Sequence, residues 1–159
     1  MEQMRLAWAR LDGCSGHEVG RKLLAQLYLE ETGEELPPVL TEERGKPYFQ
    51  DSSLHFSISH TKNHAFCVLA PYPVGLDAEE KDRNINLRLA QKILSESEMA
   101  RFENETDQRY ALLRLWVLKE AAAKLTGEGL RGYPNQTDFD PQDTRISEID
   151  GCYVAILKE

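Results

Sequence analysis

The most regular hydrophobic stretch of the chain is the segment 110–125, which is rich in leucine and alanine and contains no glycine or proline. This composition predicts an α-helix. Asp107 is suited to be its N-cap, and Gly127, just past the last apolar residue, is suited to end it. Apolar residues lie almost all round the predicted helix, so we expect it to be buried between other elements.

Two capping-box patterns predict further helices, because a serine and a glutamate three residues apart can satisfy the free amides of a helix N-terminus. Ser15 and Glu18 open the first of these helices, and Gly33 ends it. Ser95 and Glu98 open a second, shorter helix. Each is followed by apolar residues at helical spacing, which supports the assignment.

Strict alternation of apolar and polar residues over 54–59 predicts a half-buried strand, and a turn over 60–64 leads into a more continuously apolar strand over 65–70. A further strand is predicted over 74–79. The remaining segments are a first strand over 4–11, an extended linker from Pro37, a turn at 44–47, a helix over 86–94, a loop over 127–143, and a terminal hairpin of 145–149 and 152–158 closed by Asp150-Gly151. Strands and helices come in clusters, which predicts the α+β class.

Composition narrows the function classes. A chain of 159 residues is most simply one domain, and its net charge of −8 argues against a nucleic-acid partner. The N-terminus lacks the apolar region of a signal peptide, and no apolar run approaches membrane-spanning length, so no membrane partner is expected. Three scattered cysteines predict free thiols in a reducing compartment and hence a cytoplasmic location.

The first candidate for chemistry lies on the predicted central helix. Glu120 and Lys124 are roughly 40° apart around the helix axis, on the stripe that also carries Leu113, Trp116 and Val117. An ordinary exposed pair at this spacing stabilises a helix by about 0.2–0.5 kcal/mol. Charges on an apolar stripe are instead explained more economically by a site, since desolvating an ion pair there is costly.

Two further groups could complete such a site. In a strand, Gly75, Asp77 and Glu79 face the same way, which places two carboxylates roughly 7 Å apart beside a glycine that permits close approach. Carboxylates so placed repel each other unless a cation lies between them, or unless they occupy an exposed edge. At the preceding strand end, Ser59 and His60 offer a hydroxyl and an imidazole that suit an anion, although a histidine in a turn is more often structural.

Four segments in this order resemble a known family: Gly45-Lys-Pro47, Phe56-Ser-Ile-Ser-His60, Gly75-Leu-Asp-Ala-Glu79, and Trp116-Val-Leu-Lys-Glu-Ala-Ala-Ala-Lys124. Together they resemble the 4′-phosphopantetheinyl transferases of the surfactin-synthetase-activating type. Each motif alone is weak, but all four in this order and spacing are specific. The resemblance runs from about residue 45 to residue 130.

The resemblance implies an enzyme that transfers the 4′-phosphopantetheine arm of coenzyme A to a serine of an acyl or peptidyl carrier protein, with Mg²⁺ as cofactor. The other product is adenosine 3′,5′-bisphosphate. It also implies an α+β fold of two similar halves, about 1–72 and about 73–159, related by a pseudo-twofold axis and usually found as a monomer.

The motif positions imply roles for individual residues. Asp77, Glu79 and Glu120 correspond to the Mg²⁺ ligands, and Lys124 would contact the transferring phosphate. Either Glu120 or a water on the metal would take the proton of the carrier serine. The role of Lys119, which the family commonly keeps, is left open.

Coenzyme A contacts are also implied by motif position. His60 would pair with the phosphates, Ser59 would support the nucleotide, and Lys46 would lie beside the adenine. Arg21 is the candidate for the 3′-phosphate, although the chain is shorter before Gly45 than most members of this type. Two alternatives remain: a non-catalytic module of the same fold that binds coenzyme A or a carrier protein, and a divalent-metal pyrophosphate hydrolase.

Overall fold

The computed structural model of the chain describes residues 1–128 and 137–159. These residues form strands and helices in mixed order, together with one 3-10 turn at Leu87–Leu89. The strands are β1 (Arg5–Arg10), β2 (Val39–Thr41), β3 (Pro47–Phe49), β4 (His55–His60), β5 (His64–Ala70), β6 (Val74–Glu80), β7 (Ile146–Ile149) and β8 (Cys152–Lys158). The helices are α1 (Gly16–Thr32), α2 (Ala90–Ile93), α3 (Glu96–Phe102) and α4 (Gln108–Thr126).

Two three-stranded antiparallel sheets organise the described residues. The first has the order β1-β5-β4 and the second the order β6-β8-β7. Apart from the β2–β3 hairpin in the first unit and the 3-10 turn, α2 and α3 in the second, each sheet belongs to a unit that runs strand, helix, strand, strand along the chain, with the last strand at the centre of the sheet. The same connectivity therefore occurs twice, once with α1 and once with α4.

The elements pack in four layers. Helix α1 covers one face of the first sheet through a core that includes Leu24, Leu27 and Phe56. The other face of that sheet packs against the second sheet, where Phe66 and Val68 meet Leu76 and Val154. Helix α4 covers the far face of the second sheet. Alternation along each strand makes this possible, since successive side chains point to opposite faces.

The hydroxyl groups of two serines on β4 link the two sheets through hydrogen bonds to β6. The hydroxyl of Ser57 accepts a hydrogen bond from the backbone N–H of Leu76 (3.0 Å), and that of Ser59 accepts one from Ala78 (3.2 Å). Ser57 and Ser59 are thus buried rather than solvated, because they satisfy backbone groups on the edge of β6.

Most of the predicted element boundaries are confirmed. Ser15, Ser95 and Asp107 are N-caps whose side chains accept from backbone amides, and Ser95 forms the complete capping box with Glu98. The terminal turn has positive φ at both residues, 47° at Asp150 and 81° at Gly151, as a two-residue hairpin turn of this type requires.

Three predictions need correction or remain partly untested. The segment predicted as an extended linker from Pro37 contains the small β2–β3 hairpin. Its strands are too short to show a clear alternation of apolar and polar residues, so the sequence pattern does not predict them. The predicted helix over 86–94 is a 3-10 turn followed by only one turn of α-helix. The predicted loop over 127–143 has no helix or strand in its described part, and its residues 129–136 lie outside the described residues.

Within the part of the chain that the structure describes, no helix combines the length and the hydropathy that crossing a membrane requires. The three cysteines, Cys14, Cys67 and Cys152, are not joined in disulfides.

Candidate active site

The candidate site lies between β6 and α4, where a glycine brings the two backbones together. A Cβ atom at Gly75 would lie 2.1 Å from the backbone oxygen of Ala121 on α4, so no larger residue fits without moving the helix. The close approach predicted for this glycine is therefore confirmed. It places the next side chains on the same face of β6, those of Asp77 and Glu79, against α4.

Asp77 is the most deeply buried acid of the candidate site, with 5% of its surface exposed. Its Oδ1 atom accepts hydrogen bonds from the hydroxyl of Ser59 and from Nζ of Lys124, both at 3.2 Å. Its Oδ2 atom is buried and has no hydrogen-bond partner among the described residues. This carboxylate oxygen can therefore accept a hydrogen bond or bind a cation.

Burial, assisted by the charges of Glu79 and Glu120 and opposed by Lys124, raises the pKa of Asp77 to about 7. The pKa of Glu120 is raised for similar reasons, first by burial and then by Glu79. The three carboxylates therefore act on one another electrostatically across the β6–α4 interface. A cation between them would relieve both the burial cost and the repulsion.

Glu79 is held by two contacts. Its Oε1 atom accepts from Nε1 of Trp116 (3.0 Å) and from Nη1 of Arg83 (2.6 Å). The guanidinium of Arg83 also lies over the indole of Trp116, 5.6 Å from the ring centroid. This arrangement orients one carboxylate of the site from the solvent side.

Glu120 and Lys124 border a cavity of about 250 Å³. The amine of Lys124 donates to Asp77 and to the backbone oxygen of Ile58 (3.3 Å). The two residues thus project from α4 into the same pocket, rather than forming the simple exposed pair that was the alternative. The cavity walls also include the turn residues Arg44, Gly45, Lys46 and Pro47.

The spacing of the acids limits how preformed the site is. Of the described His, Cys, Asp and Glu residues, only His64, Glu80 and Cys152 form a group whose ligand atoms all lie within 4.8 Å of one another. Asp77, Glu79 and Glu120 therefore share an interface but do not form a tightly closed set of oxygens. Mg²⁺ commonly keeps several waters, so a few direct protein ligands suffice to hold it.

Lys46 connects the Gly-Lys-Pro turn to α4. Its Nζ atom donates to the backbone oxygen of Leu125 (2.6 Å), near the C-terminal end of the helix, where a positive charge is favourable. Its role beside an adenine remains a prediction. The structure places it on the wall of the cavity that Glu120 and Lys124 border.

Ser59 and His60 end β4 but point to different places. The hydroxyl of Ser59 donates to Asp77, so it positions that carboxylate. The exposed ring of His60 lies against the first residue of α1, since a Cβ atom at Gly16 would be only 2.5 Å from Cγ of His60. The proposed contact of Ser59 with nucleotide and that of His60 with phosphates remain predictions.

Arg21 lies on α1, apart from the acids. Its charge acts on Cys67 instead: burial raises the pKa of this thiol to about 12, and Arg21 partly opposes the rise. Among the described residues that line the cavity beside Glu120, Arg21 does not occur. The structure thus does not bring Arg21 together with Asp77 and Glu120, and the role of Arg21 at a 3′-phosphate stays a prediction.

Lys119, whose role the sequence left open, points away from Glu120. Its Nζ atom pairs with Oε1 of Glu98 (2.7 Å), and it also donates to the backbone oxygen of Thr137 (2.8 Å). Both charged side chains are essentially fully buried. The pair fastens α4 to α3 and to the chain that follows the undescribed segment.

Sequence reasoning missed two side chains of the site, Arg83 and Trp116 as partners of Glu79. Trp116 lies four residues before Glu120, on the same stripe, and an indole N–H among acids is a usable signal. Arg83 gives only the weaker signal of a cation four residues after Glu79. The sequence predicts only a turn at Arg44, and nothing in it indicates that this side chain lines the cavity.

A family model described as the 4′-phosphopantetheinyl transferase superfamily matches residues 73–154, slightly more than half of the chain. The matched region runs from β6 to β8 and includes all three acids and Lys124.

Curated relatives named 4′-phosphopantetheinyl transferase include three bacterial proteins. The gsp protein of Aneurinibacillus migulanus is 32% identical over 90 residues, 55% of this chain and 37% of the relative. The psf-1 protein of Bacillus pumilus is 36% identical over 93 residues, 57% and 40% respectively. A protein of Bacillus subtilis is 32% identical over 95 residues, 56% and 41%. Each match covers less than half of the relative's own length.

Proposed function

Because the chain belongs to the 4′-phosphopantetheinyl transferase superfamily, we propose that it transfers the 4′-phosphopantetheine arm of coenzyme A to a carrier protein. The acceptor is a serine of an acyl or peptidyl carrier protein, and the second product is adenosine 3′,5′-bisphosphate. The observation that carries this proposal is the buried Oδ2 atom of Asp77, which has no hydrogen-bond partner in the part of the chain that the structure describes, on a carboxylate that interacts electrostatically with Glu79, Glu120 and Lys124. Such a group suits a substrate with a diphosphate and a divalent cation.

The residues present fit Mg²⁺. Asp77, Glu79 and Glu120 supply hard oxygen ligands, and the raised pKa values of Asp77 and Glu120 reflect a need for a positive partner. When bound, Mg²⁺ would neutralise charge on the diphosphate of coenzyme A. Ser59 and Trp116 would hold two of the ligands in place through the hydrogen bonds already described.

Lys124 and Glu120 are the proposed catalytic residues. The amine of Lys124, already directed at the Asp77 side of the cavity, would donate to the transferring phosphate and stabilise its developing charge. Glu120 borders the same cavity, and its raised pKa favours acceptance of a proton from the attacking serine. Positioning and charge stabilisation of this kind dominate phosphoryl transfer.

Coenzyme A would occupy the cavity between the 44–47 turn and α4. Lys46 lies on its wall, and by motif position His60 is assigned to the phosphates and Arg21 to the more distant 3′-phosphate. The net charge of −8 makes these local cations important, because the overall field repels an anionic substrate.

We further propose that the chain is one domain of two halves, about 1–72 and about 73–159, related by a pseudo-twofold axis. The repeated strand–helix–strand–strand connectivity supports this relation. A monomer is proposed from the resemblance, and the three unpaired cysteines suit the reducing cytoplasm.

One observation favours a second candidate, a module that binds coenzyme A or a carrier protein without catalysis. The acids of the site are not gathered within 4.8 Å, unlike the residues of a preformed metal centre. Such a module would keep the cavity and the cations but perform no transfer.

Incubation with coenzyme A, Mg²⁺ and a panel of apo carrier proteins separates these functions by intact mass. Transfer increases the mass of a carrier by one phosphopantetheine arm. A binding module leaves both masses unchanged but retains coenzyme A, and a pyrophosphate hydrolase cleaves coenzyme A without modifying the carrier. No mass change with any carrier would contradict the proposed transfer.

A further inference from the structure

We propose that His64, Glu80 and Cys152 form a second metal site, for a transition-metal ion such as Zn²⁺. His64 begins β5, Glu80 ends β6 and Cys152 begins β8, so three strands from both sheets meet at one point. Glu80 and Cys152 are also direct cross-strand partners. The ligand atoms of the three residues all lie within 4.8 Å of one another.

Two of the three ligand-to-ligand distances match those of a tetrahedral centre. Sγ of Cys152 lies 3.5 Å from Nδ1 of His64 and 3.4 Å from Oε2 of Glu80. With metal–nitrogen and metal–oxygen bonds of about 2.0–2.1 Å and a metal–sulfur bond of about 2.3 Å, tetrahedral ligands lie roughly 3.3–3.6 Å apart. Nδ1 of His64 is 2.9 Å from Oε1 of Glu80, a separation that a small rotation of the carboxylate adjusts.

Outer contacts hold the histidine as metal-binding histidines are usually held. Nε2 of His64 is bonded to Oδ2 of Asp150 (2.8 Å), which leaves Nδ1 directed at the thiol and at Glu80. Asp150 is itself held by two hydrogen bonds from Arg10. A carboxylate on the far nitrogen fixes the tautomer and the orientation of a ligating imidazole.

A simple ion-pair network accounts for only part of the cluster. A charged His64 between Glu80 and Asp150 would explain the two carboxylates and would leave the thiol of Cys152 as a weak donor to Glu80, but the buried thiol lies within 3.5 Å of the imidazole as well as of the carboxylate. Nitrogen, sulfur and oxygen ligands together are typical of Zn²⁺ rather than of Mg²⁺. A water would complete the coordination, since the side chain of Glu80 retains 13% exposure.

The second site is separate from the proposed active site. Glu80 faces the layer between the sheets, whereas Asp77 and Glu79 face α4, because neighbouring strand residues point to opposite sides. The metal would therefore link the first sheet to the second at their shared edge. Its expected effect is on the stability of that junction, by preferential binding to the folded state.

Cobalt titration of the reduced, chelator-treated full chain tests this site. Co²⁺ is a spectroscopic substitute for Zn²⁺, and a bond to a thiolate produces a charge-transfer band in the near ultraviolet. We expect the band to saturate at about one Co²⁺ per chain and to disappear when Zn²⁺ is added. Zn²⁺ should also raise the melting temperature of the wild-type chain.

Matched variants identify the residue whose thiolate produces the band. Cys152→Ser should abolish it, whereas Cys14→Ser, which changes an exposed thiol, and Asp77→Asn should retain it. Asp150→Asn should weaken Co²⁺ binding by about 10–100-fold, as loss of an outer partner of a histidine ligand usually does.

Absence of the band in the wild-type chain would overturn the proposal, as would its survival in Cys152→Ser. If Cys152→Ser does not fold, Glu80→Gln decides the matter: unchanged Co²⁺ affinity in that variant excludes this carboxylate and with it the proposed site.

Discussion

The two strand–helix–strand–strand units share a connectivity but differ at the interface between the first strand and the helix. In the N-terminal unit, Ala7 and Ala9 of β1 pack towards the apolar core beneath α1. In the C-terminal unit, the helix-facing residues of β6 include Asp77 and Glu79. The β1–α1 interface is apolar and stabilises the fold, whereas the β6–α4 interface contains buried charged groups in place of apolar contacts. This difference is why the proposed chemistry is assigned to the second unit.

The helices differ on their outer faces as well. The outer face of α1 carries exposed residues such as Gln26 and Glu30. The outer face of α4 is covered by α3 and by Phe139. There Lys119 of α4 forms a buried ion pair with Glu98 of α3. Cover on both sides explains why α4 is apolar almost all round, and α1 is not.

The largest expected effect is the loss of activity at the C-terminal interface. Glu120→Gln removes the proposed base while preserving the shape of the side chain, and we expect transfer to slow by about 10²–10⁴-fold. The rate of carrier modification, followed by mass, measures it. Glu35→Gln, at an exposed position after α1, is the control and should be unchanged. Equal rates in both variants would remove Glu120 from the mechanism.

The next effect concerns stability on the covered face of α4. Lys119→Met leaves Glu98 buried without its charged partner, which should lower the free energy of unfolding by about 3–5 kcal/mol. Urea unfolding measures the change. Lys22→Met, at an exposed lysine of α1, should change stability by less than about 0.5 kcal/mol. A small effect at Lys119 would show that the pair contributes little.

Two packing glycines, one in each unit, provide a closer comparison. Gly75→Ala forces a Cβ atom against the backbone of α4 and should destabilise the protein by about 1–3 kcal/mol. Gly20→Ala on α1 meets only the side chain of Ile58, at 2.6 Å, and gains about 1 kcal/mol of helix propensity. We expect it to be nearly neutral. Thermal or urea unfolding that ranks the two variants in the opposite order would contradict the packing described.

A smaller effect is expected from Asp77 in the metal-free protein. Folding raises its pKa from the ordinary 3.8 to about 7, so the folded state favours the protonated acid. Its stabilising contribution is present below about pH 4 and is lost as the pH rises through 7. Asp77→Asn should therefore be more stable than the wild type at pH 8 by about 1–2 kcal/mol, since one pKa unit corresponds to about 1.4 kcal/mol and the buried amide offsets part of the gain. Urea unfolding in chelator at pH 5 and pH 8 measures the difference, and parallel pH profiles would refute it.

Local signals predicted much of this fold. Ser15, Ser95 and Asp107 cap helices, and Asp150-Gly151 closes a hairpin, because these features depend on neighbouring residues alone. The close approach at Gly75 was also foreseeable, because a glycine beside two strand carboxylates permits it, but only the fold shows that α4 is the element in contact.

Features set by distant packing could not be predicted in the same way. Ser57 and Ser59 look like the solvated side of a strand, yet they satisfy backbone amides of β6. The ion pair of Lys119 joins residues 21 positions apart, and no local pattern specifies it. The motif resemblance named the acids, but only the fold shows that Arg83 and Trp116 hold Glu79.

The most direct test of the central claim is divalent-metal binding in the presence of coenzyme A. Mn²⁺ can replace Mg²⁺ as a paramagnetic probe, and electron paramagnetic resonance measures how much of it is bound. If Asp77, Glu79 and Glu120 hold one cation, Asp77→Asn and Glu120→Gln should each weaken Mn²⁺ binding by at least about tenfold, or 1.4 kcal/mol, whereas Cys152→Ser should not. Wild-type Mn²⁺ affinity in both acid variants would contradict the account.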